Sequence, residues 1–247
     1  MSGYAAPEWS GSTGSTPGCC CQPPGITSIP TTQPIAKRPL STQDTIGAGT
    51  DILVSIANLV GGTGNDTLTG NGSDNSLDGG LGADSIGGGG GLDVILGGLG
   101  ADTIDGGAGA DLVVGGTGAD SLTGGANADV FRYLAQSDGL AAATDTATNA
   151  AADVIVDFAQ GVDSLAFLSA EFGGLAAGAL QAANFASIAA AYDGTNSGVA
   201  GGTPVFVFST DEDRLYFDAD TATAGYTVIA EIGTGNLVVD DIDITAG

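Results

Sequence analysis

Residues 97–133 read GGLGADTIDGGAGADLVVGGTGADSLTGGANADVFRY. An aspartate returns every nine residues, at Asp102, Asp111, Asp120 and Asp129. A Gly-Gly pair keeps the same beat, and an apolar side chain follows each aspartate by two places, at Ile104, Val113, Leu122 and Phe131. Carried backwards, the frame starts at Gly61 and runs through eight units to Arg132 without a slip. Position six is then Asp66, Asn75, Asp84, Asp93, Asp102, Asp111, Asp120 and Asp129, and position eight is Leu68, Leu77, Ile86, Ile95, Ile104, Val113, Leu122 and Phe131. The second unit departs most: Asn75 stands for the acid, with Asp74 beside it.

The physics of one unit predicts a coil. Six Gly-rich residues form a turn whose backbone angles only glycine adopts cheaply. The last three are extended, and strand alternation points the position-eight side chain inward. Two units make one full coil, so units i and i+2 stack and each coil touches only its neighbours. Burial of one aliphatic side chain contributes about 1.5–3 kcal/mol. Ordering nine residues opposes it by about 10 kcal/mol. The coil therefore needs another source of stability, and the stacked aspartates provide it. Carboxylates and turn carbonyls in register are hard oxygen ligands suited to Ca²⁺, and binding energy then becomes folding energy. The predicted ligands are Asp66, Asp84, Asp93, Asp102, Asp111, Asp120 and Asp129, with the turn glycines Gly62, Gly64, Gly80, Gly82, Gly98, Gly100, Gly107, Gly109, Gly116 and Gly118. Stacking implies about six shared ions, with the step bordered by Asn75 the weakest.

The pattern G-G-x-G-x-D-x-U-x resembles the calcium-binding nonapeptide of the RTX (hemolysin-type) family. That resemblance implies an all-β fold, a right-handed parallel β-roll with calcium along both edges. Residues 51–71, DILVSIANLVGGTGNDTLTGN, look like a leading coil and cap, with Ile52, Val54, Ile56 and Leu59 apolar. Residues 153–172, DVIVDFAQGVDSLAFLSAEF, are similar to the segment that follows the repeats in secreted RTX proteases. Ile155, Phe158, Leu165 and Phe167 would be core there. Asp153, Asp157 and Asp163 hold a further calcium or cap turns; the residues alone leave both open. Residues 153–244 resemble the C-terminal region of hemolysin-type proteins, which implies an uncleaved signal read by a type I secretion machinery.

Three regions are expected: an N-terminal arm at 1–45, a cap and β-roll at 46–132, and a β-rich C-terminal cap with short helices at 133–247. Ala-rich spacing in residues 175–192 suits one or two short helices. Residues 203–233 read as three strands, with a hairpin at 210–213, and NLVVDDIDITAG as a last strand. The stretch FDADTATAG fails as an EF-hand loop, since Thr223 and Ile229 occupy the positions that need Gly and Glu.

The 29 acids face four bases, a net charge of −25. Four acids are Glu, so 29 − 4 leaves 25 Asp, a residue of turns and ligands rather than helix faces. Such charge excludes nucleic acid and anionic membrane surfaces as partners. No apolar run reaches the length of a membrane span, and the first residues carry no cleavable secretory signal. With no His, Ser-His-Asp, Cys-His and common zinc chemistry are absent; no enzyme is expected. The arm is rich in Pro, Ser, Thr and Gly and holds Cys19, Cys20 and Cys21 side by side. An odd cysteine count in an exported chain suits an intermolecular disulfide or a free thiol, or marks an incidental cluster. The expected function is a secreted, extracellular or cell-surface calcium-binding structural protein. It assembles into a fibre or surface layer through its arm; the alternative is a monomeric calcium-binding or adhesive matrix protein.

Overall fold

The computed structural model describes residues 57–138, 152–191, 204–219, 226–233 and 236–246, and the backbone alone of 44–45 and 52–54. The arm and its three cysteines lie outside the described residues. Strands β1 (Asp44–Thr45), β2 (Ile52–Val54), β3 (Asn58–Thr63), β4 (Thr67–Asn71), β5 (Ser76–Leu81) and β6 (Ser85–Gly90) open the coil. β7 (Val94–Leu99), β8 (Thr103–Ala108), β9 (Leu112–Thr117), β10 (Ser121–Ala126) and β11 (Val130–Tyr133) complete the repeats. β12 (Asp153–Ile155), β13 (Ser164–Leu168), β14 (Gly178–Ala179), β15 (Phe185–Ile188), β16 (Val205–Ser209), β17 (Arg214–Asp218), β18 (Thr227–Ile232) and β19 (Ile242–Thr245) follow.

Successive repeat strands alternate between two sheets. One runs β1-β3-β5-β7-β9-β11-β13-β19-β14, the other β15-β16-β17-β18-β12-β10-β8-β6-β4-β2. Within the repeats every pairing is parallel and offset by two units, as in Ser76↔Val94 and Ser85↔Thr103. Units i and i+2 therefore stack as the period requires, and the chain is an all-β parallel solenoid.

The position-eight side chains make two inner columns. Leu59, Leu77, Ile95, Val113 and Phe131 are in register in one sheet, and Leu68, Ile86, Ile104 and Leu122 in the other. All are buried. Both columns continue past the repeats, through Leu165 and Ile242 in the first and Ile155 and Ile232 in the second. β12, β13, β18 and β19 thus extend the same parallel stack, although the chain takes a longer path to reach them than it takes between repeat coils, while β14, β16 and β17 pair antiparallel at its edges. Their core is richer. Phe167 lies 4.4 Å from Phe206 and 4.9 Å from Phe172 between ring centroids, and each such pair adds about 0.5–1.5 kcal/mol to area burial.

Two local expectations change. Each complete repeat strand runs from position seven through position three of the next unit, so the Gly-Gly pair lies in the strand and only the three positions that follow make the bend. The helices expected in residues 175–192 are instead one 3-10 turn, Ala182–Asn184, between β14 and β15. Residues 185–188 pair in parallel with β16, and that tertiary pairing overrides the helix preference of alanine. The hairpin at 210–213 joins β16 and β17, with Ser209 opposite Arg214. Ile155, Phe158, Leu165 and Phe167 are buried, as expected.

The glycines have two separate reasons. Gly98 and Gly100 sit at φ +111° and +137°, a region L side chains avoid; in the last unit Asn127 fills the corresponding place at φ +89°, the substitution best tolerated there. At Gly97 the constraint is space: a methyl group would stand 2.4 Å from the Gly115 carbonyl oxygen and 2.5 Å from Asp102 Oδ2. Gly87, on the outer face of β6, has nothing within 4 Å. Thermal unfolding in calcium should separate the two cases. Gly97→Ala is expected to destabilise by about 3 kcal/mol or more, and Gly87→Ala to stabilise by about 0.4–1 kcal/mol.

Candidate metal centre

The position-six residues form a column along each edge of the roll, and all are buried. From Asp84 onward, one carboxylate oxygen of each is already used. The Asp84 N–H donates to Asp102 Oδ1 at 2.8 Å, the Asp102 N–H to Asp120 Oδ1 at 2.8 Å, one coil to the next. The other column runs from the Asn75 N–H to Asp93, then to Asp111 and Asp129. The second oxygen is the unusual one. Oδ2 of Asp84, Asp93, Asp102, Asp111, Asp120 and Asp129 is buried with no hydrogen-bond partner. Native proteins satisfy nearly all buried polar atoms, so a periodic row of orphaned acceptors points to a missing cation or proton.

The surroundings are acceptors too. Beside the α-carbon of Gly79, Asp84 Oδ2 and the Gly97 carbonyl oxygen each come within 2.5 Å of the point a Cβ would occupy; Gly88 and Gly106 repeat the arrangement. At the predicted turn glycines the carbonyls point along the stack, with Gly64 O directly beneath Gly82 and Gly82 O beneath Gly100. The ten predicted turn glycines, from Gly62 to Gly118, all have positive φ. Among the described residues no group of three acid or cysteine side chains forms a ready-made metal site. Any ion in the columns therefore draws most of its ligands from main-chain carbonyls. The one ion pair among the described residues, Arg214–Glu231 at 3.5 Å, lies in the C-terminal sheet and neutralises no column acid. These donors, all oxygen and partly anionic, fit Ca²⁺.

Residues 58–140 match the RTX calcium-binding nonapeptide repeat. The model of that family matches residues 58–86, 87–122 and 105–140. Among solved structures the chain is similar to two subunits of the mannuronan C5-epimerase AlgE6 of Azotobacter vinelandii. The R3 subunit is 21% identical with a TM-score of 0.37, over 73% of this chain and 78% of that one. The R2 subunit is 25% identical with a TM-score of 0.35, over 75% and 91%. No curated protein matches the chain.

The RTX frame also sorts the irregular positions. Asn75 has its Oδ1 on the Asn71 N–H and directs its Nδ2 to the Ala57 and Asp74 carbonyls, so a neutral amide stands where other units present a charge. Beyond the repeats, Asp153 Oδ1 accepts from the Asp120 N–H, and Asp163 Oδ1 from the Asp129 N–H, continuing both columns. Asp163 Oδ2 accepts from the Ala159 N–H, and Asp157 takes the Gly124 and Gly125 N–H groups on its two oxygens. Asp163 thus caps a turn and Asp157 holds the glycine pair of β10, whereas Asp153 repeats the pattern of the array. Sequence reading missed Asp138, whose Oδ2 accepts from the Leu134 and Ala135 N–H groups. It also missed why the first glycine of each pair is required. The signal for the latter was present, since only a residue without Cβ leaves room for the carboxylate.

Burial pushes the Asp102 and Asp129 carboxyls up to about 6, against the help of their main-chain hydrogen bonds and with neighbouring acids adding to the rise. Asp93, Asp111 and Asp120 are raised for the same leading reason. Such groups hold their proton more tightly folded than unfolded. Their contribution to metal-free stability is full below 3.8 and lost as pH rises through about 6. In chelator, the roll is expected to show more strand by circular dichroism at about pH 4.5 than at about pH 7.5. In calcium the trend should reverse, because protons then compete with the ion.

Proposed function

We propose that this chain is a secreted calcium-binding structural protein whose roll is unfolded where calcium is scarce and folds where it is abundant. The supporting observation is the periodic row of buried carboxylate oxygens without donors. At neutral pH the empty array sets like charges along a thin core, one apolar side chain per repeat unit; Ca²⁺ between successive coils turns that repulsion into attraction. The ligands in this reading are the position-six aspartates from Asp66 to Asp129 and the turn carbonyls of the RTX units. A chain kept unfolded in the calcium-poor cell suits passage through a type I secretion machinery. The resemblance of residues 153–244 to the hemolysin-type C-terminal region is what suggests that route. RTX proteins are typically extracellular, and no helix among the described residues is long and apolar enough to cross a membrane.

The self-assembling form of this proposal rests on the arm. An extended Pro- and Thr-rich segment suits strand addition to another copy. A head-to-tail contact that does not close grows a filament, and Cys19, Cys20 and Cys21 would lock it after export. The monomeric matrix protein is the alternative. Sedimentation in calcium decides between them. Deletion of residues 1–40 should leave a folded monomer and abolish polymers; a full-length monomer would favour the matrix reading.

Asp102→Asn tests the folding switch, because it keeps the Oδ1 acceptor and removes the charge. Without calcium it is expected to stabilise the roll by up to about 3 kcal/mol at neutral pH, from a shift of roughly two pKa units. With calcium it is expected to destabilise it and weaken ion binding about tenfold or more. Denaturant titrations with and without chelator check the opposite signs; the same sign in both would reject metal-linked folding.

A further inference from the structure

At the C-terminal end of the solenoid the ten-stranded sheet finishes on β15, Phe185–Ile188, which pairs in parallel with β16 on one side. Among the described residues no strand pairs with its other side. Both faces of β15 lie at the rim of a core. Phe185 packs against the cluster that holds Phe206 and Phe217, while Ala186 and Ile188 pack against Val205, Val207 and Tyr216. Natural sheets guard an edge of this kind with charge or proline. Residues 172–192 contain neither, and Ser187, within the strand, is exposed. In a chain of net charge −25, two copies repel wherever acids meet. The uncharged edge is a place where a second copy can approach.

One other stretch has the matching composition. Residues 9–36 of the arm also lack charge, and these two runs are the longest of that kind in the chain. Within the arm, residues 29–35 read IPTTQPI, with Pro30 and Pro34 four places apart. Along a strand the N–H groups of alternate residues point to the same edge. Both prolines are even-numbered, so as a strand this segment loses donors on one edge only. Ile29, Thr31, Gln33 and Ile35 keep every N–H on the other. Proline is tolerated in a sheet where its nitrogen faces outward from an edge strand. The segment is therefore suited to pair once and to stop the sheet there. We propose that residues 29–35 of one copy add as a strand to the β15 edge of the next. This rests on the reading that the chain assembles through its arm, and it names the acceptor. The arm joins the body at β1, which opens the stack at the end opposite β15. Donor and acceptor thus belong to opposite ends of the solenoid, and the contact is head-to-tail, the kind that grows filaments where its rotation closes no ring.

Sedimentation of the full chain in calcium, with strand content followed by circular dichroism, tests this. Ser187→Lys places a charge on the acceptor edge and is expected to abolish polymers while the calcium-induced strand signal persists. The donor is tested by parity. Thr31→Pro removes an N–H that faces β15 and is expected to abolish polymers. Thr32→Pro removes one that faces away and should leave them at wild-type size. Both changes lie in the arm and leave the roll untouched, so this pair stands as the test should Ser187→Lys lose the strand signal. An excess of free peptide with the sequence of residues 26–36 should shorten wild-type polymers by occupying the edge. Equal behaviour of Thr31→Pro and Thr32→Pro overturns strand addition, and polymers that survive a folded Ser187→Lys overturn β15 as the acceptor. If deletion of residues 1–40 abolishes polymers in either case, assembly through the arm stands and only its docking site is wrong. A wild-type chain that sediments as a monomer overturns both readings.

Discussion

The whole roll depends on a carboxylate shared between two coils. One oxygen of the position-six aspartate takes a main-chain N–H from the coil before it, and the other faces carbonyls. The first contact sets the spacing of the coils and holds the acid where water cannot reach it. The second leaves an acceptor without a donor. A structure that buries an acceptor at every step is stable only when something positive occupies the column. The glycine pattern and the fit to calcium both follow from that geometry. The first glycine of each pair makes room for the carboxylate, and the later ones permit the bend. A larger side chain at either place would displace the column.

The two ends of the solenoid answer the same problem differently. At the start, Asn75 presents an amide, whose NH₂ group donates to carbonyls without need of an ion. At the far end of the same edge, Asp157 and Asp163 spend their oxygens on main-chain N–H groups. That column is therefore closed at both ends by hydrogen bonds. The other edge ends in Asp153 and Tyr133, whose phenol lies against the Asp153 carboxyl. Burial raises the Asp153 carboxyl to about 9, so a metal-free chain at neutral pH holds a proton there. The asymmetry sets the junction with the C-terminal coils apart from the start of the roll.

Stability is distributed unevenly in consequence. The repeat coils bury one aliphatic or aromatic side chain per unit at position eight, whereas the C-terminal coils bury Phe158, Phe167, Phe172, Phe206 and Phe217 together. The aromatic end buries more apolar surface, and burial contributes more to it than to the repeats. A chain built this way has an end packed by aromatic burial and a body with a far thinner core.

The sequence by itself determined the coil, its period, the inward column and the oxygen chemistry, because each recurs with every unit and a periodic signal survives without knowledge of distant contacts. It also carried Ile155, Phe158, Leu165 and Phe167 as core, since apolar residues so placed suit strands that continue the coil. Only the tertiary structure decided what the irregular residues do. Asp153, Asp157 and Asp163 are alike in sequence, yet Asp153 takes one main-chain N–H while Asp157 and Asp163 take one on each oxygen, because their roles depend on which main-chain N–H groups the neighbouring coil presents. Residues 185–188 became a strand because β16 lies alongside them, a partner from beyond the next loop that local composition does not reveal. Tyr133 took the place of a glycine beside the one step where the column passes from Asp120 to Asp153 by a long detour instead of through the next repeat unit, and no local pattern encodes that detour.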